Sequence, residues 1–393
     1  MRAGRAGRAA LVALAALAAA PGAHGESARV VGPERVVFDW SRDACSTEHY
    51  PDLPVRAFRD AAGRIQLILP HLESTRMVGR RLGRLRVDCR PVLRSEHDPR
   101  PSRFDDRQWL AAVYTLDGRT VRGLVHEEYL GSLHAGRCAG GGLFRCWQNA
   151  VTSVVSRDGG ATYGNAPPPR HLVAAGPYRY RAGSGPAGVF SPSNIVRNPG
   201  DGRFYAMVHV ERRGAQRWGA CIMRTRRLGD PSSWRAWDGS AFSVRFADPY
   251  RRGAPPGTGV CAPISRDAIQ KMHESLTYNT HIGRWVLVGA AHHFVGGDPS
   301  RVASGIWYSA SDDLVHWDRR RLLVRAELPR THRCGDRRPV LYPSLIDPRS
   351  PGRNFETTGR SAYLYFTRFN YRACTMGPDR DLVRVRVAFS RAT

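Results

Sequence analysis

The chain has 393 residues, of which 42% are hydrophobic and 24% charged, and this globular composition argues against a wholly disordered chain or a coiled coil. Its formal net charge is +26, from 60 Lys and Arg against 34 Asp and Glu, and Lys271 is the only lysine. The cations are spread along the chain, and no recognition motif accompanies them. We therefore expect no nucleic-acid partner.

The first residues have the pattern of a secretory signal. Arg2, Arg5 and Arg8 form a basic start, Ala9–Ala20 is apolar, and small residues follow. The apolar stretch is short for a membrane anchor, and no later run approaches the roughly 20 apolar residues that a span needs. The sequence predicts a signal peptide over 1–25, no transmembrane segment, and a mature protein that is secreted or periplasmic.

Eight cysteines agree with export, because an even number in an oxidising compartment suggests disulfide bonds. Sequence alone leaves many connectivities open. A zinc site is the alternative, but no CxxC motif occurs and the spacings are long and irregular. We expect neighbouring cysteines to pair, as Cys45–Cys89, Cys138–Cys146, Cys221–Cys261 and Cys334–Cys374.

The rest of the chain reads as short β-strands separated by turn residues. The strand runs are rich in Val, Ile, Tyr, Phe and Trp, and Gly or Asp punctuates them. In chain order the expected strands include 65–69, 110–114, 150–155, 204–210, 285–290, 362–366 and 382–389. Only Arg266–His273 has a helical character, of one or two turns. An all-β chain of this length protects its sheet edges as a sandwich, a barrel or a propeller.

A unit of three strands recurs with a period of roughly 70–80 residues, which suits a four-stranded blade with decorated loops. Five units follow one another, and their second strands are 63–71, 120–128, 202–209, 283–289 and 361–367. The run Arg35–Trp40 has the right character to complete the sheet of the last unit and close a ring. The prediction is a single five-bladed β-propeller domain over residues 26–393, with four-stranded antiparallel blades.

Three turns after the third strands of these units carry a family resemblance. Ser156–Tyr163 has the form S-x-D-x-G-x-T followed by an aromatic residue, which looks like the Asp-box of sialidase-type propellers. Ser309–Trp317 resembles the S-x-D-x-x-x-W turn of five-bladed arabinanase-, xylosidase- and invertase-like glycoside hydrolases, and Thr225–Trp234 is a third version. In such turns the Asp accepts backbone N–H bonds. The resemblance implies a glycoside hydrolase-like propeller and gives these turns structural roles.

In a propeller the starts of the first strands and the ends of the second strands meet on one face. Glycosidic hydrolysis needs two carboxyl groups there, a protonated acid for the leaving oxygen and a base or nucleophile. We expect Glu274 to be the acid, with Glu127 as the alternative. Asp52 is the expected base or nucleophile, with Asp106 second. Glu127 and Glu128 alternate across a strand, so only one of them can face the channel.

The expected substrate contacts come from the same positions. They would bind hydroxyl or carboxylate groups or stack on a sugar ring, and they are Arg56, His126, Trp147, Asn194, His273 and Arg368. We expect a carbohydrate partner, a monomer and no cofactor, with calcium in the central channel as an open alternative. His292 and His293 suggest a metal, but adjacent strand residues point to opposite faces, so a shared ion is not expected.

The sequence thus predicts an exported glycoside hydrolase-like propeller that cleaves a poly- or oligosaccharide with paired carboxylates. A non-catalytic glycan-binding propeller is an alternative and would lack a close carboxyl pair. A sialidase-like six-bladed enzyme is another and would need three clustered Arg with a Tyr and Glu pair. A protein-interaction propeller would carry an apolar outer patch. No nucleophile-elbow serine, P-loop, dinucleotide fingerprint or zinc-protease helix occurs.

Overall fold

The computed structural model describes residues 26–138, 140, 143–251, 259–294, 302–329, 331 and 338–391. Within this part of the chain there are 24 β-strands, two one-turn α-helices and four short 3₁₀ helices, so the prediction of an all-β chain is confirmed. None of the described helices has both the length and the apolar character needed to cross a membrane. The predicted signal peptide, residues 1–25, lies outside the described residues.

After the first strand, β1 (Ser27–Phe38), the strands fall into five consecutive series, and within each series the pairing is antiparallel. A short parallel pairing also joins the second and third series in one sheet. Series I contains β2 (Arg56–Arg59), β3 (Ile65–Leu69), β4 (Glu73–Gly79) and β5 (Arg86–Arg94). Series II contains β6 (Arg107–Thr115), β7 (Val121–Leu130), β8 (Trp147–Ser156), β9 (Gly164–Asn165) and β10 (Leu172–Ala175). Series III contains β11 (Ala187–Phe190), β12 (Val196–Arg197), β13 (Phe204–Val210), β14 (Gly219–Thr225), β15 (Arg235–Trp237) and β16 (Phe242–Val244).

The last two series complete the described strands. Series IV contains β17 (Ser275–Asn279), β18 (Arg284–Phe294), β19 (Val302–Ser311) and β20 (Arg321–Arg325). Series V contains β21 (Val340–Ile346), β23 (Ser361–Phe369) and β24 (Arg380–Ser390), while β22 (Thr357–Thr358) pairs in parallel with β17. The helices are α1 (Trp40–Asp43), α2 (Arg266–Ile269) and the 3₁₀ segments Pro101–Arg103, Gly131–Leu133, Leu143–Cys146 and Pro231–Ser233. The predicted helical segment therefore forms a single α-helical turn.

The N-terminal strand closes the sheet of series V. β1 pairs antiparallel with β24 over most of its length, with Arg35 opposite Arg384 and Phe38 opposite Leu382. The expectation for the run from Arg35 is confirmed as far as Phe38, whereas Trp40 already begins α1. The start and the end of the chain therefore share one sheet.

Both faces of the inner strands are buried. In β13, Ala206, Val208 and Val210 belong to one hydrophobic cluster, whereas Tyr205 and Met207 belong to the next. Because side chains alternate across a strand, a continuous apolar run such as FYAMVHV serves two cores at once. Each large side chain that is buried in this way stabilises the fold by roughly 1.5–3 kcal/mol.

Five such clusters separate the series in chain order. Pairs from the two sides are Phe58 and Leu110 between I and II, Val151 and Val208 between II and III, Met207 and Leu287 between III and IV, Val288 and Phe366 between IV and V, and Phe38 and Leu67 between V and I. Each series therefore packs against both of its neighbours, and the last packs against the first.

The first strands of the series meet around Arg56, which begins β2 and is 3% exposed. Its guanidinium donates to the carbonyl of Ala111 at 2.8 Å and to that of Glu274 at 2.7 Å. Longer bonds of 3.5 Å reach the Pro192 carbonyl and the Ser344 hydroxyl. One side chain of series I thus contacts the innermost segment of the other four.

The predicted turns have a common local geometry. Asp158 accepts backbone N–H bonds from Ala161 at 2.9 Å and Thr162 at 3.0 Å, and Asp313 and Asp230 accept backbone bonds in the same way. The aromatic residues that follow them are buried, namely Tyr163, Trp234 and Trp317. These aspartates close tight turns, and the kinship with the Asp-box stays a prediction.

Three predicted disulfides are confirmed, Cys45–Cys89, Cys138–Cys146 and Cys221–Cys261. Cys374 is also disulfide-bonded, but Cys334, its predicted partner, lies outside the described residues. The confirmed bonds join cysteines that are neighbours in the sequence, and disulfides of this kind persist in oxidising compartments.

Candidate active site

Asp52 lies just before β2, at the end of the sheets where the second strands finish. Its carboxylate accepts a hydrogen bond of 3.2 Å from the Tyr342 hydroxyl and is paired with the guanidinium of Arg380. The Asp52 side chain is 22% exposed, whereas that of Arg380 is 9% exposed. Burial opposes the charge of Arg380, but Asp52 and the neighbouring tyrosines outweigh it and raise the pKa of Arg380. The arrangement stabilises an anion at a solvent-accessible position.

Tyr342 reaches Asp52 through an irregularity in β21. The pairing of β21 with β23 shifts between Leu341 and Ser344, and Tyr342 has a left-handed φ of 60°. That conformation costs a non-glycine residue about 1–2 kcal/mol. Burial, reinforced by Asp52, raises the pKa of Tyr342 well above its ordinary value, so the hydroxyl acts as a donor. Backbone strain of this kind tends to occur at functional sites.

A second carboxylate, Glu128, faces the same region from the end of β7. It lies 3.1 Å from Nε2 of His126 and 3.6 Å from Arg107, and its side chain is 14% exposed. The Ser191 N–H donates to Nδ1 of His126, so the ring proton is on Nε2 and points at Glu128. The charge of Asp52 and, to a smaller extent, that of Glu128 both help to raise the pKa of Tyr342.

Glu127 lies on the opposite face of β7 together with Asp106. Both residues are 1% exposed, and the Asp106 N–H lies 3.4 Å from the Glu127 carboxylate. Asp106 also accepts from the Leu130 N–H and lies 2.9 Å from Nε2 of His134. Burial, followed by the charge of Asp106, raises the pKa of Glu127 well above its ordinary range. The structure therefore places Glu127, the alternative acid, and Asp106, the second choice of base, together and away from solvent.

The sequence contained a signal for Glu128 that our expectation did not use. Arg107 is opposite Glu128 and Trp109 is opposite His126 in the pairing of β6 with β7. An alternating pattern of charged and aromatic residues on both strands marks one polar face, and Glu128 belongs to it. The same reasoning assigns Glu127 to the buried face.

Glu274, the expected acid, is held by backbone donors. Its two oxygens accept the N–H groups of His273 at 3.0 Å and Ala290 at 2.9 Å, and its side chain is 13% exposed. These bonds fix the orientation of the Glu274 carboxyl group, and its role as the acid stays a prediction.

A belt of rings lines this end of series I to IV. The successive centroid distances are 4.2 Å for Tyr50–His71, 6.2 Å for His71–Trp109, 5.8 Å for Trp109–His126, 6.3 Å for His126–Phe190, 4.5 Å for Phe190–His209 and 4.7 Å for His209–His273. Burial lowers the pKa of His71 to about 4 and also lowers the pKa of His273. These two imidazoles are thus neutral at pH 7 and supply hydrogen-bonding edges without charge.

Several predicted substrate contacts are engaged with the protein. Both functional groups of the Asn194 amide bond the backbone of Leu276 at 2.8 Å, which joins series III to series IV. Arg368 donates to Asp381 at 2.9 Å. Arg56 donates to the other series, as described above, and His273 lies 2.7 Å from the Lys271 carbonyl and 3.4 Å from His209. Trp147 is half-buried between Phe144 and Phe190, at 5.3 and 5.4 Å.

Metal ligands do not cluster in the described part of the chain, where no three His, Cys, Asp or Glu side chains are arranged to hold an ion. His292 and His293 are exposed neighbours on β18 and pair with Ser304 and Ala303 of β19. The expectation of no cofactor, with calcium as an open alternative, stays a prediction.

Solved structures that resemble this chain include glycoside hydrolases. A glycosyl hydrolase from Bacteroides ovatus has 10% identity and a TM-score of 0.49, with 92% of this chain and 93% of that chain covered. The α-L-arabinanase from Cellvibrio cellulosa has 10% identity and a TM-score of 0.45, with 84% of this chain and 90% of that chain covered. Its complex with arabinohexaose has 9% identity and a TM-score of 0.43, with 83% of this chain and 91% of that chain covered. A xylan β-1,4-xylosidase from Bacillus halodurans C-125 has 11% identity and a TM-score of 0.42, with 88% of this chain and 55% of that chain covered.

The matches thus include an arabinanase and a xylosidase, which are among the glycoside hydrolases that the turn motifs resemble. This chain spans about half the length of the xylosidase. No protein-family model matches the sequence, and no curated protein matches it either. Identities near 10% and TM-scores below 0.5 transfer neither a reaction nor a residue role, so the function has to be argued from the site itself.

Proposed function

We propose that the chain is a single five-bladed β-propeller over residues 26–393, with series I to V as the blades. The five clusters between consecutive series support this architecture, because the last of them joins series V to series I. Closure by β1 and the central position of Arg56 support it further. Four-stranded blades follow for series I and V, whose sheets contain four strands each.

The function that the site supports best is hydrolysis of a poly- or oligosaccharide by paired carboxylates. The observation that carries it is a pair of carboxylates from different series that both act on Tyr342: Asp52 accepts a hydrogen bond from its hydroxyl at 3.2 Å, and the charge of Glu128 contributes to its raised pKa. Arginines and aromatic rings surround the two carboxylates, and such side chains bind sugar hydroxyl groups and sugar faces. An exported protein with three disulfides fits a polymer substrate outside the cytoplasm.

In this mechanism Asp52 is the base or nucleophile, because Arg380 and the Tyr342 hydroxyl stabilise its anion. Glu128 is the acid, and His126 orients it through Nε2–H. The bond between the anomeric carbon and the leaving oxygen breaks, Glu128 protonates that oxygen, and water supplies the new hydroxyl group while Asp52 takes its proton or forms a transient ester. Glu274 positions neighbouring groups through its backbone hydrogen bonds.

Substitution of the two carboxylates tests the proposal. We expect Asp52→Asn and Glu128→Gln each to lower the release of reducing ends from arabino- and xylo-oligosaccharides by about 10²–10⁴-fold, as general acid–base groups do. Glu127→Gln is the matched control, because it makes the same chemical change one residue away on the other face of β7. Full activity in both Asp52→Asn and Glu128→Gln would refute the assignment.

A second candidate function is binding of a glycan without cleavage. It is favoured by the engagement of both carboxylates with cations, Asp52 with Arg380 and Glu128 with Arg107, which would hold them as anions. Calorimetry and reducing-end assays on the same sugars separate the two functions. Binding without product in the wild-type protein would favour this alternative over hydrolysis.

A further inference from the structure

A groove between series I and V lies at the other end of the sheets from the candidate active site. β3 runs up to His71 at the active-site end and β4 runs back, so the β4–β5 turn is at the opposite end. The groove has a volume of about 440 Å³. Six arginines line it, and they are Arg35, Arg59, Arg80, Arg81, Arg84 and Arg384, whereas none of the described residues that line it is Asp or Glu.

The β4–β5 turn holds three of these arginines at the surface. Leu82 is 3% exposed and packs into the cluster between series V and I. The Arg84 N–H donates to the Arg81 carbonyl at 2.9 Å, which closes the turn. Because the turn is anchored through Leu82, the side chains of Arg80, Arg81 and Arg84 remain exposed.

The rim of the groove carries uncompensated charge. Among the described residues, no ion pair or side-chain hydrogen bond engages the guanidinium groups of Arg35, Arg80, Arg81 and Arg84. The nearby carboxylate of Glu34 lies 3.6 Å from Arg368 instead. Like charges that are this close in sequence and space repel one another, and a ligand with several negative charges relieves the repulsion.

The floor of the groove is ordered. Arg384 donates to the Leu82 carbonyl at 3.1 Å, and its guanidinium lies 4.4 Å from the ring centroid of Tyr363. Its Nε is buried without a hydrogen-bond partner among the described residues. Arg59 donates to the Gly352 carbonyl at 2.5 Å. Burial, reinforced by the charge of Arg353, lowers the pKa of Arg59. An anion bound beside Arg59 would therefore stabilise its charged form.

We propose that this groove binds an anionic polysaccharide, whose carboxylate or sulfate groups pair with the arginine forks. Guanidinium groups match the geometry of such oxyanions and bind them bidentately. Single-stranded nucleic acid is less suitable, because it needs free aromatic faces for stacking, and the lining ring of Tyr363 already has Arg384 over it. The choice of a polysaccharide rests on the proposed function, whereas the requirement for negative charge does not.

The test compares two triple variants in an Asp52→Asn background, so that cleavage does not consume the polymer. One is Arg80→Gln, Arg81→Gln and Arg84→Gln in the groove. The matched control replaces three exposed arginines at turns of series II and III, Arg119→Gln, Arg157→Gln and Arg226→Gln, and removes the same charge. The probes are polygalacturonate, dextran sulfate, neutral dextran and a DNA duplex, with binding followed by calorimetry at physiological ionic strength.

We expect the groove variant to bind polygalacturonate or dextran sulfate at least about tenfold more weakly than the parent, and the control variant to bind within about twofold. Neutral dextran should not bind in the groove, and added salt should weaken the anionic polymers. The proposal would be overturned if both triple variants lost the same binding affinity, if a DNA duplex bound more tightly than either anionic polymer, or if neither anionic polymer bound at all. The same three groove substitutions can also be made in a protein that retains Asp52. Its hydrolysis of oligosaccharides then tests the proposed function separately from binding in the groove.

Discussion

Glu127 and Glu128 are adjacent in β7, but their carboxylates lie in different environments. Glu128 is partly exposed beside His126 and Arg107, whereas Glu127 is buried beside Asp106. The alternation of side chains along a strand assigns the first to the candidate active site and the second to the protein interior. Two residues of the same type therefore differ in their chemistry because of the face of the strand on which each one lies.

The buried carboxyl group should reduce stability as the pH rises. The pKa of Glu127 is well above 4.5 in the folded protein, so the folded state holds a proton that the unfolded chain releases. Stability is therefore lost as the pH rises from about 4.5 through the pKa of the folded state. We expect Glu127→Gln to increase the free energy of unfolding in urea at pH 8 by on the order of 1–3 kcal/mol.

The gain in the free energy of unfolding from Glu127→Gln should shrink toward pH 4, because Glu127 is then also protonated in the unfolded chain. Glu73→Gln is the control, because the Glu73 side chain is 51% exposed and lacks the burial to which we assign the gain. A gain in Glu127→Gln that is the same at pH 4 and pH 8 would contradict the assigned cause.

At the scale of elements, short irregularities place the polar groups. The shift in β21 near Tyr342 brings its hydroxyl to Asp52, and a similar shift in β6 falls between Leu110 and Ala112, next to Trp109. Bulges rotate the side chains that follow them relative to the rest of the strand. The regular parts of the same strands supply the hydrophobic clusters, so one element serves both purposes.

The Asp-closed turns give a second prediction at this scale. Burial opposes ionisation of Asp158, but hydrogen bonds from Thr162, Ser156 and Ala161 outweigh it and lower its pKa to about 2. We expect Asp158→Ala to lower the free energy of unfolding by about 1–2 kcal/mol at pH 7. The contribution of Asp158 is present above the ordinary pKa and is lost as the pH falls through about 2.

Chemical denaturation of Asp158→Ala and of the wild-type protein at pH 7 and at pH 2 measures this effect. Asp267→Ala is the control, since the Asp267 side chain is 99% exposed. If the two substitutions cost the same, or if the cost of Asp158→Ala persists at pH 2, the turn does not depend on the ionised carboxylate.

For the whole molecule, the pairing of β1 with β24 has the widest effect. Residues from the start and the end of the chain share a sheet, and Phe38 of β1 packs in the cluster between series V and I. Contacts of this sequence separation hold the first and last series together.

Removal of one side chain from β1 tests the closure. Phe38 is fully buried, so we expect Phe38→Ala to lower the free energy of unfolding by about 3–5 kcal/mol. Val36→Ala in the same strand should change it by less than about 0.5 kcal/mol, because Val36 is 44% exposed. Calorimetry should show a single transition in both variants, and a separate early transition in Phe38→Ala would mean that β1 is not coupled to the ring.

The sequence by itself determined the features that depend on short stretches of chain. β3 and β13 begin and end as predicted, at Ile65–Leu69 and Phe204–Val210, because β-branched and aromatic runs between turn residues specify strands locally. The three confirmed disulfides join nearest neighbours in the sequence. The tight turns at Asp158 and Asp313 follow from side-chain hydrogen bonds within a few residues.

Tertiary structure alone decided which side chains share a site. Asp52 meets Tyr342 and Arg380, which are 290 and 328 residues away, and no spacing rule connects them. The shift in β21 that turns Tyr342 toward Asp52 has no local signature, because strand register is set by packing against the neighbouring strand. Local patterns specify the strands, and only the ring closed by long-range burial brings their polar ends together.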